Sequence, residues 1–300
     1  PNLMRKSFLV YALLSTATLI LGACTSTGTK PQNLEEMAQV PISDQPSGTS
    51  IPGKFVWHDL ITPDLESAAE FYQSLFGWEL DYRSGYAVVR NRGRLIGRII
   101  EIAPREEEKD SLWVPTVSVA DISAVIDRVE AGGGEVLKGP SERGRRGEAI
   151  LIRDSQGANI VLLESKEGDP VDDDARVGDW LWDEVWTTTP EQTETFYSSV
   201  LEYDQLLPGE SYDVFMKDGV WRAGMRHVGN EMDNRLWVPV VRVGDPGAIV
   251  QRVSALAGYV LLTPEEVPGK RNAALIADPT GALLIVQHWT AESAPGRSAQ

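Results

Sequence analysis

The sequence predicts an α+β protein made of four βαβββ units, two in each of two tandem copies. The first observation is a set of landmarks that recur after 125 residues early in the chain and after 124 residues later. A duplicated domain with one small loop difference explains both offsets. The landmarks, first copy before second, are Trp57 and Trp182, Phe71-Tyr72 and Phe196-Tyr197, Trp113-Val-Pro and Trp237-Val-Pro, and Asp154-Ser-Gln-Gly and Asp278-Pro-Thr-Gly.

The second observation is a duplication within each copy. An Asp and a Gly lie 13 residues apart at Asp64 and Gly77, and the spacing recurs from Asp121 and from Asp245. The third unit matches less well, because Thr189 takes the position of the Asp. Each unit therefore reads as a strand, a helix and further strands.

The first unit shows how each element is predicted. Phe55 to Thr62 is β-rich, and Asp64 is a helix N-cap residue before an apolar stripe of helical spacing. In the third unit, Thr189-Pro190-Glu191-Gln192 predicts a capping box with Pro in the first helical position. Short β-rich runs bounded by Gly, Arg or Asp follow each helix and predict the remaining strands.

Composition predicts a soluble globular protein of about two domains. The chain has 300 residues, of which 42% are hydrophobic and 24% charged, and its formal net charge is −16. Such an acidic chain is a poor partner for nucleic acid or anionic lipid, so no nucleic acid is expected. The segment Arg143-Gly-Arg-Arg146 is basic within this acidic chain and is interpreted as an exposed hairpin loop.

The N-terminus predicts a secretory signal. Arg5-Lys6 precede an apolar run from Phe8 to Leu21, which is short for a membrane span and ends in Leu-Gly-Ala-Cys. This ending resembles the lipobox of bacterial lipoproteins, which implies cleavage before Cys24 and a lipid on its thiol. We therefore expect a lipoprotein in the periplasm, anchored by that lipid to the outer membrane.

The chain is divided on these grounds into six segments. Residues 24–53 are rich in Ser, Thr, Gly, Pro and Gln and predict a flexible tether. The full division is signal peptide 1–23, tether 24–53, first domain 54–165, acidic linker 166–177, second domain 178–290 and disordered tail 291–300.

The motifs resemble those of one superfamily. Phe-Tyr on a helix, Leu-Phe-Gly-Trp after it and Asp-x-x-Gly before the last strand resemble the vicinal oxygen chelate superfamily, which includes glyoxalase I, extradiol dioxygenases and bleomycin-resistance proteins. Trp-x-Asp-Leu-x-Thr-x-Asp and Trp-x-Pro are similar to its hydroxylase-like, non-glyoxalase branch. The resemblance implies that the two units of each copy build a curved sheet around a cleft.

The resemblance also implies where the metal ligands of the superfamily would lie. None of these positions holds a donor side chain, and a metal site needs three or four N or O donors. The inherited metal is therefore expected to be absent from both copies, with no cofactor. The positions are Trp57, Val114 and Val161 in the first copy, and Trp182, Val238 and Ile285 in the second.

A shifted metal site is the alternative. Mixed His and carboxylate sets occupy neighbouring strand positions and would suit Fe, Mn, Zn or Ni. Strand side chains alternate between faces, so His58 should lie opposite Trp57, although a bulge can re-aim a side chain. The two candidate sets are His58, Glu101 and Glu164, and Asp183, His227 and His288.

The same alternation predicts which side chains line the clefts. Indole and aliphatic walls with one or two acidic groups suit a small, largely apolar ligand. Asp59 and Glu184 are candidate general bases, although the sequence supplies no orienting partner for either. The predicted ligand-binding residues are Trp57, Asp59, Thr116, Trp182, Glu184, Trp186 and Gln287.

Three functions remain open. The leading hypothesis is a lipid-anchored periplasmic protein, monomer or homodimer, that binds a small molecule or a partner without metal. The second is a metal-dependent lyase, dioxygenase or resistance-type enzyme that uses a shifted site. The third is a structural envelope protein in which large side chains fill the vacated clefts as core.

Overall fold

A computed structural model describes residues 34–103, 111–229, 236–267 and 272–290. The predicted signal peptide, Cys24, the start of the predicted tether and the tail 291–300 lie outside these residues. Within the described ranges, no helix is both long and apolar enough to cross a membrane.

The described chain has the predicted four βαβββ units after one short helix, α1 (Leu34–Gln39). The first copy comprises β1 (Phe55–Thr62), α2 (Leu65–Phe76), β2 (Glu79–Arg83), β3 (Tyr86–Asn91), β4 (Arg94–Glu101), β5 (Leu112–Ser118), α3 (Ile122–Ala131), β6 (Glu135–Glu142), β7 (Gly147–Arg153) and β8 (Asn159–Ser165). The second comprises β9 (Trp180–Thr187), α4 (Pro190–Val200), β10 (Gln205–Leu207), β11 (Tyr212–Lys217), β12 (Val220–His227), β13 (Trp237–Val243), α5 (Pro246–Val253), β14 (Tyr259–Leu262), β15 (Ala273–Ala277) and β16 (Leu283–His288).

Each copy forms one sheet of eight strands, and the two sheets have the same order. The first runs β2-β3-β4-β1-β5-β8-β7-β6, and the second runs β10-β11-β12-β9-β13-β16-β15-β14. At the centre, β1 pairs antiparallel with β5, while β4 and β8 flank them in parallel. The first strands of the two units in a copy therefore meet at the middle of its sheet.

In three of the four units, an Asp side chain caps the N-terminus of the helix as the spacing predicts. Asp64 accepts a hydrogen bond from the backbone N–H of Ser67 at 3.0 Å, and Asp121 and Asp245 cap α3 and α5 in the same way. The capping box predicted at Thr189 is wrong, since its side chain makes no cap bond. The Thr189 hydroxyl donates instead to Gln156 of the first copy, 2.6 Å away.

The two copies share their hydrophobic core, which lies between the sheets. We call the face of each sheet that packs on the helices and on the other copy its inner face. Helix α3 of the second unit packs with α4 of the third, and α2 of the first packs with α5 of the fourth. Glycine at position 134 permits the two copies to pack closely, because a Cβ there would lie 2.9 Å from the ring of Phe196.

The repeated motifs link the copies by hydrogen bonds. Tyr197 donates its hydroxyl to Asp154 of the first copy at 2.7 Å and accepts from the indole of Trp237 at 2.8 Å. The equivalent of the Trp237–Tyr197 bond lies within the first copy, where the Trp113 indole donates to the Tyr72 hydroxyl at 2.8 Å. The Phe-Tyr, Trp-Val-Pro and Asp-x-x-Gly motifs are therefore structural.

The described part of the predicted tether packs against the first domain. Met37 and Ile42 are 7% and 5% exposed and pack on the first sheet, and the backbone of Ser47 bonds to that of Asp169. The prediction of a flexible tether as far as residue 53 is therefore wrong. Buried apolar side chains outweigh a polar, Pro-containing composition. We call residues 36–46 the strap.

Candidate binding clefts

The outer face of each sheet, opposite its inner face, is the predicted cleft. Trp57, Asp59 and Ile61 alternate onto the outer face of the first sheet, and Trp182 and Trp186 onto that of the second. Thr116 and Gln287 share these faces, since Thr116 is the ladder partner of Trp57 and Gln287 follows Ile285 by two residues on β16. The structure thus places the predicted ligand-binding residues on the outer faces, in two separate groups.

A buried ion pair forms the floor of the first cleft. Arg98 on β4 holds both oxygens of Asp59 on β1, with its Nε and Nη2 each 2.8 Å from a carboxylate oxygen. The indole of Trp57 donates to Asp59 at 2.8 Å as well. Burial alone raises the pKa of Asp59, but the charge and hydrogen bonds of Arg98 outweigh it, so the pKa lies below its usual value.

A second arginine reaches the same floor from the β6–β7 turn. The guanidinium of Arg146 lies over the ring of Trp57, 4.1 Å from its centroid, and the side chain is 7% exposed. The interpretation of residues 143–146 as an exposed loop is therefore wrong for Arg146, because stacking on the indole brings it inward. Burial, with the charge of Arg98, lowers the pKa of Arg146 well below its usual value.

The strap covers this cleft and bonds to its arginines. Arg98 donates through Nη1 to the carbonyl of Met37 at 2.8 Å, and Arg146 donates through Nε to the carbonyl of Val40 at 2.6 Å. The side chains of Met37 and Ile42 pack among the apolar residues of the outer face. Trp57 is only 1% exposed as a result.

The second cleft has a comparable ion pair on a different arginine. Arg226 on β12 contacts both oxygens of Glu184 at 2.8 and 3.0 Å, and Glu184 is fully buried. The Tyr212 ring lies under that guanidinium, 5.0 Å from it. Gly224 makes room for the ring, because a Cβ there would collide with the Tyr212 hydroxyl.

The second cleft differs in having accessible aromatic surface. Trp182 is half-buried, whereas its counterpart Trp57 is almost fully buried. Trp182 lies beside the Trp221 ring at 6.1 Å. Farther along this face, the Trp186 indole N–H and the Gln287 carbonyl oxygen are buried and have no hydrogen-bond partner among the described residues. Buried polar groups are normally paired, so these two atoms are exceptions within the second cleft.

The donor set does not fit the metal of the superfamily. The ladder Trp57–Thr116–Val161 crosses the first cleft, with Val114 opposite Asp59. These side chains offer no imidazole and no free carboxylate for a metal. The second cleft presents Trp182, Val238 and Ile285 at the equivalent places. Among the described residues, no three His, Cys, Asp or Glu side chains form a group that could hold a metal ion.

The two alternative triads do not assemble, because members of different copies pair with each other. His58 and Asp183 occupy equivalent positions in the two copies, and both point to the inner faces. The His58 Nε2 atom lies 2.9 and 3.0 Å from the Asp183 oxygens, and both side chains are buried. Burial raises the pKa of Asp183, although the charge of His58 opposes the shift.

The remaining triad members are dispersed. Glu164 accepts from the backbone N–H of Ile122 at 3.0 Å at the start of α3, and His227 pairs with Asp213 at 2.8 Å. Glu101 is exposed at the end of β4, and His288 is half-buried at the end of β16.

The candidate general bases are also engaged. Asp59 and Glu184 each lie in a bidentate pair with arginine, so neither carboxylate is free to take a proton from a substrate. The structure therefore favours a role for both carboxylates in holding an arginine side chain in place.

The sequence reasoning missed the arginines of both clefts. Arg98 and Arg226 interrupt apolar strands, in Ile-Gly-Arg-Ile-Ile and Ala-Gly-Met-Arg-His. A charged residue inside a buried strand was the available signal, because buried charges require a partner. Nothing in the sequence marked Met37 as a residue of the strap.

Comparison with known proteins identifies the family. A model of the Glyoxalase/Bleomycin resistance protein/Dioxygenase superfamily matches residues 54–162. The first domain therefore belongs to the vicinal oxygen chelate superfamily. The chain is similar to a Mycobacterium tuberculosis protein provisionally named a glyoxylase, CFP32, with 28% identity over 77% of this chain and 92% of that protein. It is also similar to the anthracycline biosynthesis protein DnrV of Streptomyces peucetius, with 26% identity over 78% of this chain and 93% of the relative.

Solved glyoxalase and dioxygenase structures share the fold over about four fifths of the chain, across both copies. The Mn(II)-bound glyoxalase from Novosphingobium aromaticivorans superposes with a TM-score of 0.57 at 13% identity, over 80% of this chain and 83% of that one. The 2,2',3-trihydroxybiphenyl 1,2-dioxygenase of Sphingomonas wittichii gives a TM-score of 0.53 at 16% identity, over 81% and 94%. These similarities support the α+β tandem architecture and do not extend to chemistry.

Proposed function

We propose that this vicinal oxygen chelate protein binds a small, largely apolar molecule in its second cleft without the superfamily metal. The observation that carries the proposal is the replacement of metal donors by Trp182, Val238 and Ile285 on the outer face. Trp182 supplies a partly exposed aromatic wall, and Trp186 and Gln287 each add one polar atom that has no partner among the residues the structure describes. An apolar pocket with few polar groups is the usual form of a small-molecule site.

The relatives support an aromatic ligand. DnrV and DauV are named for anthracycline biosynthesis, and this chain matches each over 93% of its length. Anthracyclines are flat and polycyclic, which suits stacking on indole rings. The first cleft is a poorer site for an uncharged ligand, since the side chains of Met37 and Ile42 already fill its apolar surface.

The same proposal includes the location of the protein. Leu21-Gly-Ala-Cys24 after an apolar run supports a lipid on Cys24 that anchors the protein to the periplasmic side of the outer membrane. A Cys24→Ser variant expressed with a clickable palmitate should lose the label and move to the aqueous phase of a detergent partition. Retention of the label in the variant would refute lipidation at this residue.

Metal content and ligand binding test the proposed function together. Chelator-treated protein that begins after Cys24 is mixed with Fe(II), Mn(II), Zn(II) or Ni(II), desalted, and analysed by elemental mass spectrometry. We expect well below one metal per chain. Near-stoichiometric metal would overturn the metal-free proposal and favour an enzyme.

Ligand binding is then measured on the metal-free protein with a neutral hydroxyanthraquinone, followed by quenching of tryptophan fluorescence. Trp182→Ala should weaken binding about 5- to 150-fold, since a stacked ring contributes about 1 to 3 kcal/mol. Tyr82→Ala is the matched control, because Tyr82 is an exposed aromatic residue on β2. Equal affinity in the Trp182 variant would remove the second cleft from the proposal.

A further inference from the structure

The first cleft has an excess of positive charge inside an acidic protein. Of the carboxylates that the structure describes, Asp59 is the one that Arg98, Arg143 and Arg146 interact with there. Both oxygens of that carboxylate already bond to Arg98. Within the described part of the chain, Arg143 and Arg146 therefore have no carboxylate of their own.

One of these groups has an unused donor. Arg146 is 7% exposed, and its Nη2 is buried without a hydrogen-bond partner among the described residues. Its Nε bonds only to the neutral carbonyl of Val40. A buried cation that is left without an anion is costly, and guanidinium groups bind carboxylates more strongly than amide carbonyls.

The strap occupies the position that a ligand would take. Its two carbonyls lie on Arg98 and Arg146, and the Met37 and Ile42 side chains lie on an apolar wall that includes Tyr86 and Ile100. An organic anion offers the same two elements, oxygen acceptors and an apolar body, with the charge that the strap lacks.

We propose that the first cleft binds a small organic anion, which takes the place of the strap. Its acidic group lies at Arg146 and Arg98, and its apolar body replaces the side chains of Met37 and Ile42. This inference deepens the proposed metal-free binding function and rests on it, but it concerns the other cleft and a charged ligand class.

The test compares two probes that differ in charge. 1-Naphthoate and its neutral analogue 1-naphthalenemethanol are titrated into the protein by calorimetry, and inorganic phosphate serves as an anion without an apolar body. We expect 1-naphthoate to bind at least tenfold more tightly than the other two. Equal affinity for the two naphthalenes would overturn the anion site and leave the proposed function standing.

Two arginine variants locate the anion. Arg146→Met should abolish the preference for 1-naphthoate, while Arg145→Met should keep it. Arg145 is the matched control, because it lies in the same turn but points outward, with its side chain 51% exposed and paired with Glu167. An unchanged preference in Arg146→Met would overturn the assignment.

A third variant tests competition with the strap. Ile42→Ala loosens the strap, so 1-naphthoate should bind more tightly, because less of the protein is in the closed state. Amide hydrogen exchange in residues 37–42 should rise when the probe is bound. Weaker binding in Ile42→Ala, or slower exchange, would show that the strap holds the ligand and would refute displacement. If no probe binds to the wild type or to Ile42→Ala, the anion site is refuted, while the hydroxyanthraquinone titration decides the proposed function separately.

Discussion

Replacing Arg98 by methionine tests the claim that the floor of the first cleft is held by an ion pair. The substitution keeps much of the side-chain volume and leaves Asp59 without its main partner. Removing one member of a buried pair typically costs about 3 to 5 kcal/mol of unfolding free energy. Asp59 is 18% exposed and keeps the Trp57 hydrogen bond, so we expect about 3 kcal/mol, the lower end of that range.

The pH dependence of this loss has a definite sign. Pairing with Arg98 lowers the pKa of Asp59 in the folded protein, so the pair stabilises the protein above the unfolded pKa near 4 and stops doing so as the pH falls through the folded pKa. In Arg98→Met, burial should raise the same pKa. The difference in unfolding free energy should be largest near pH 7 and should shrink below about pH 5.

The assay is urea unfolding followed by tryptophan fluorescence between pH 4 and 8. Arg83→Met is the control, because Arg83 and Asp81 form an exposed pair, whose loss should change the unfolding free energy much less. The double variant Asp59→Leu with Arg98→Met should recover most of the loss, since a well-packed apolar pair often replaces a buried ion pair. A loss below about 1 kcal/mol in Arg98→Met, or one that grows toward pH 4, would refute the reasoning.

Three further predictions concern the contacts between copies and the strap. Tyr197→Phe should lower the unfolding free energy by about 1.5 kcal/mol at pH 7, since Asp154 loses a donor. Burial already raises the Asp154 pKa, so urea unfolding at pH 4 should show a smaller loss. Asp183→Ala should cost about 3 kcal/mol, and a double variant that also replaces His58 by Leu should regain part of it. Met37→Asp should leave the melting temperature within a few degrees but should raise amide hydrogen exchange in residues 37–42, and an unchanged exchange rate would contradict the placement of the strap.

Much of the fold was predictable, because it depends on local signals that repeat. Asp64 and Asp121 cap helices as the spacing indicated, and strands follow each helix in the predicted order. Period-two alternation correctly separated Trp57 from His58. These features depend on neighbours in sequence, which a single chain reveals.

The candidate site was less predictable, because its partners are distant in sequence. The contact of Arg98 with Asp59 spans 39 residues, and that of Arg146 with the Val40 carbonyl spans 106. Whether an arginine in a turn points inward depends on what lies beneath it, here the Trp57 ring. No local pattern encodes that contact, so residues 143–146 resembled any exposed basic turn.

The two clefts share one arrangement near the position where the superfamily resemblance places a metal ligand. In both copies a carboxylate lies on the first strand, two residues after the tryptophan at the inherited ligand position. The arginine partner differs, since Arg98 is the ladder partner of Asp59 itself, whereas Arg226 pairs in the ladder with Trp186, two residues beyond Glu184. In each copy an arginine pairs with the carboxylate, but the two arginines lie at different positions of the neighbouring strand. The feature that the two copies share is therefore the position of the carboxylate. The ion pair at each floor is neutral overall, so in our two proposals the ligand is selected by the groups around it, which are the accessible indole of Trp182 in the second cleft and the guanidinium of Arg146 in the first.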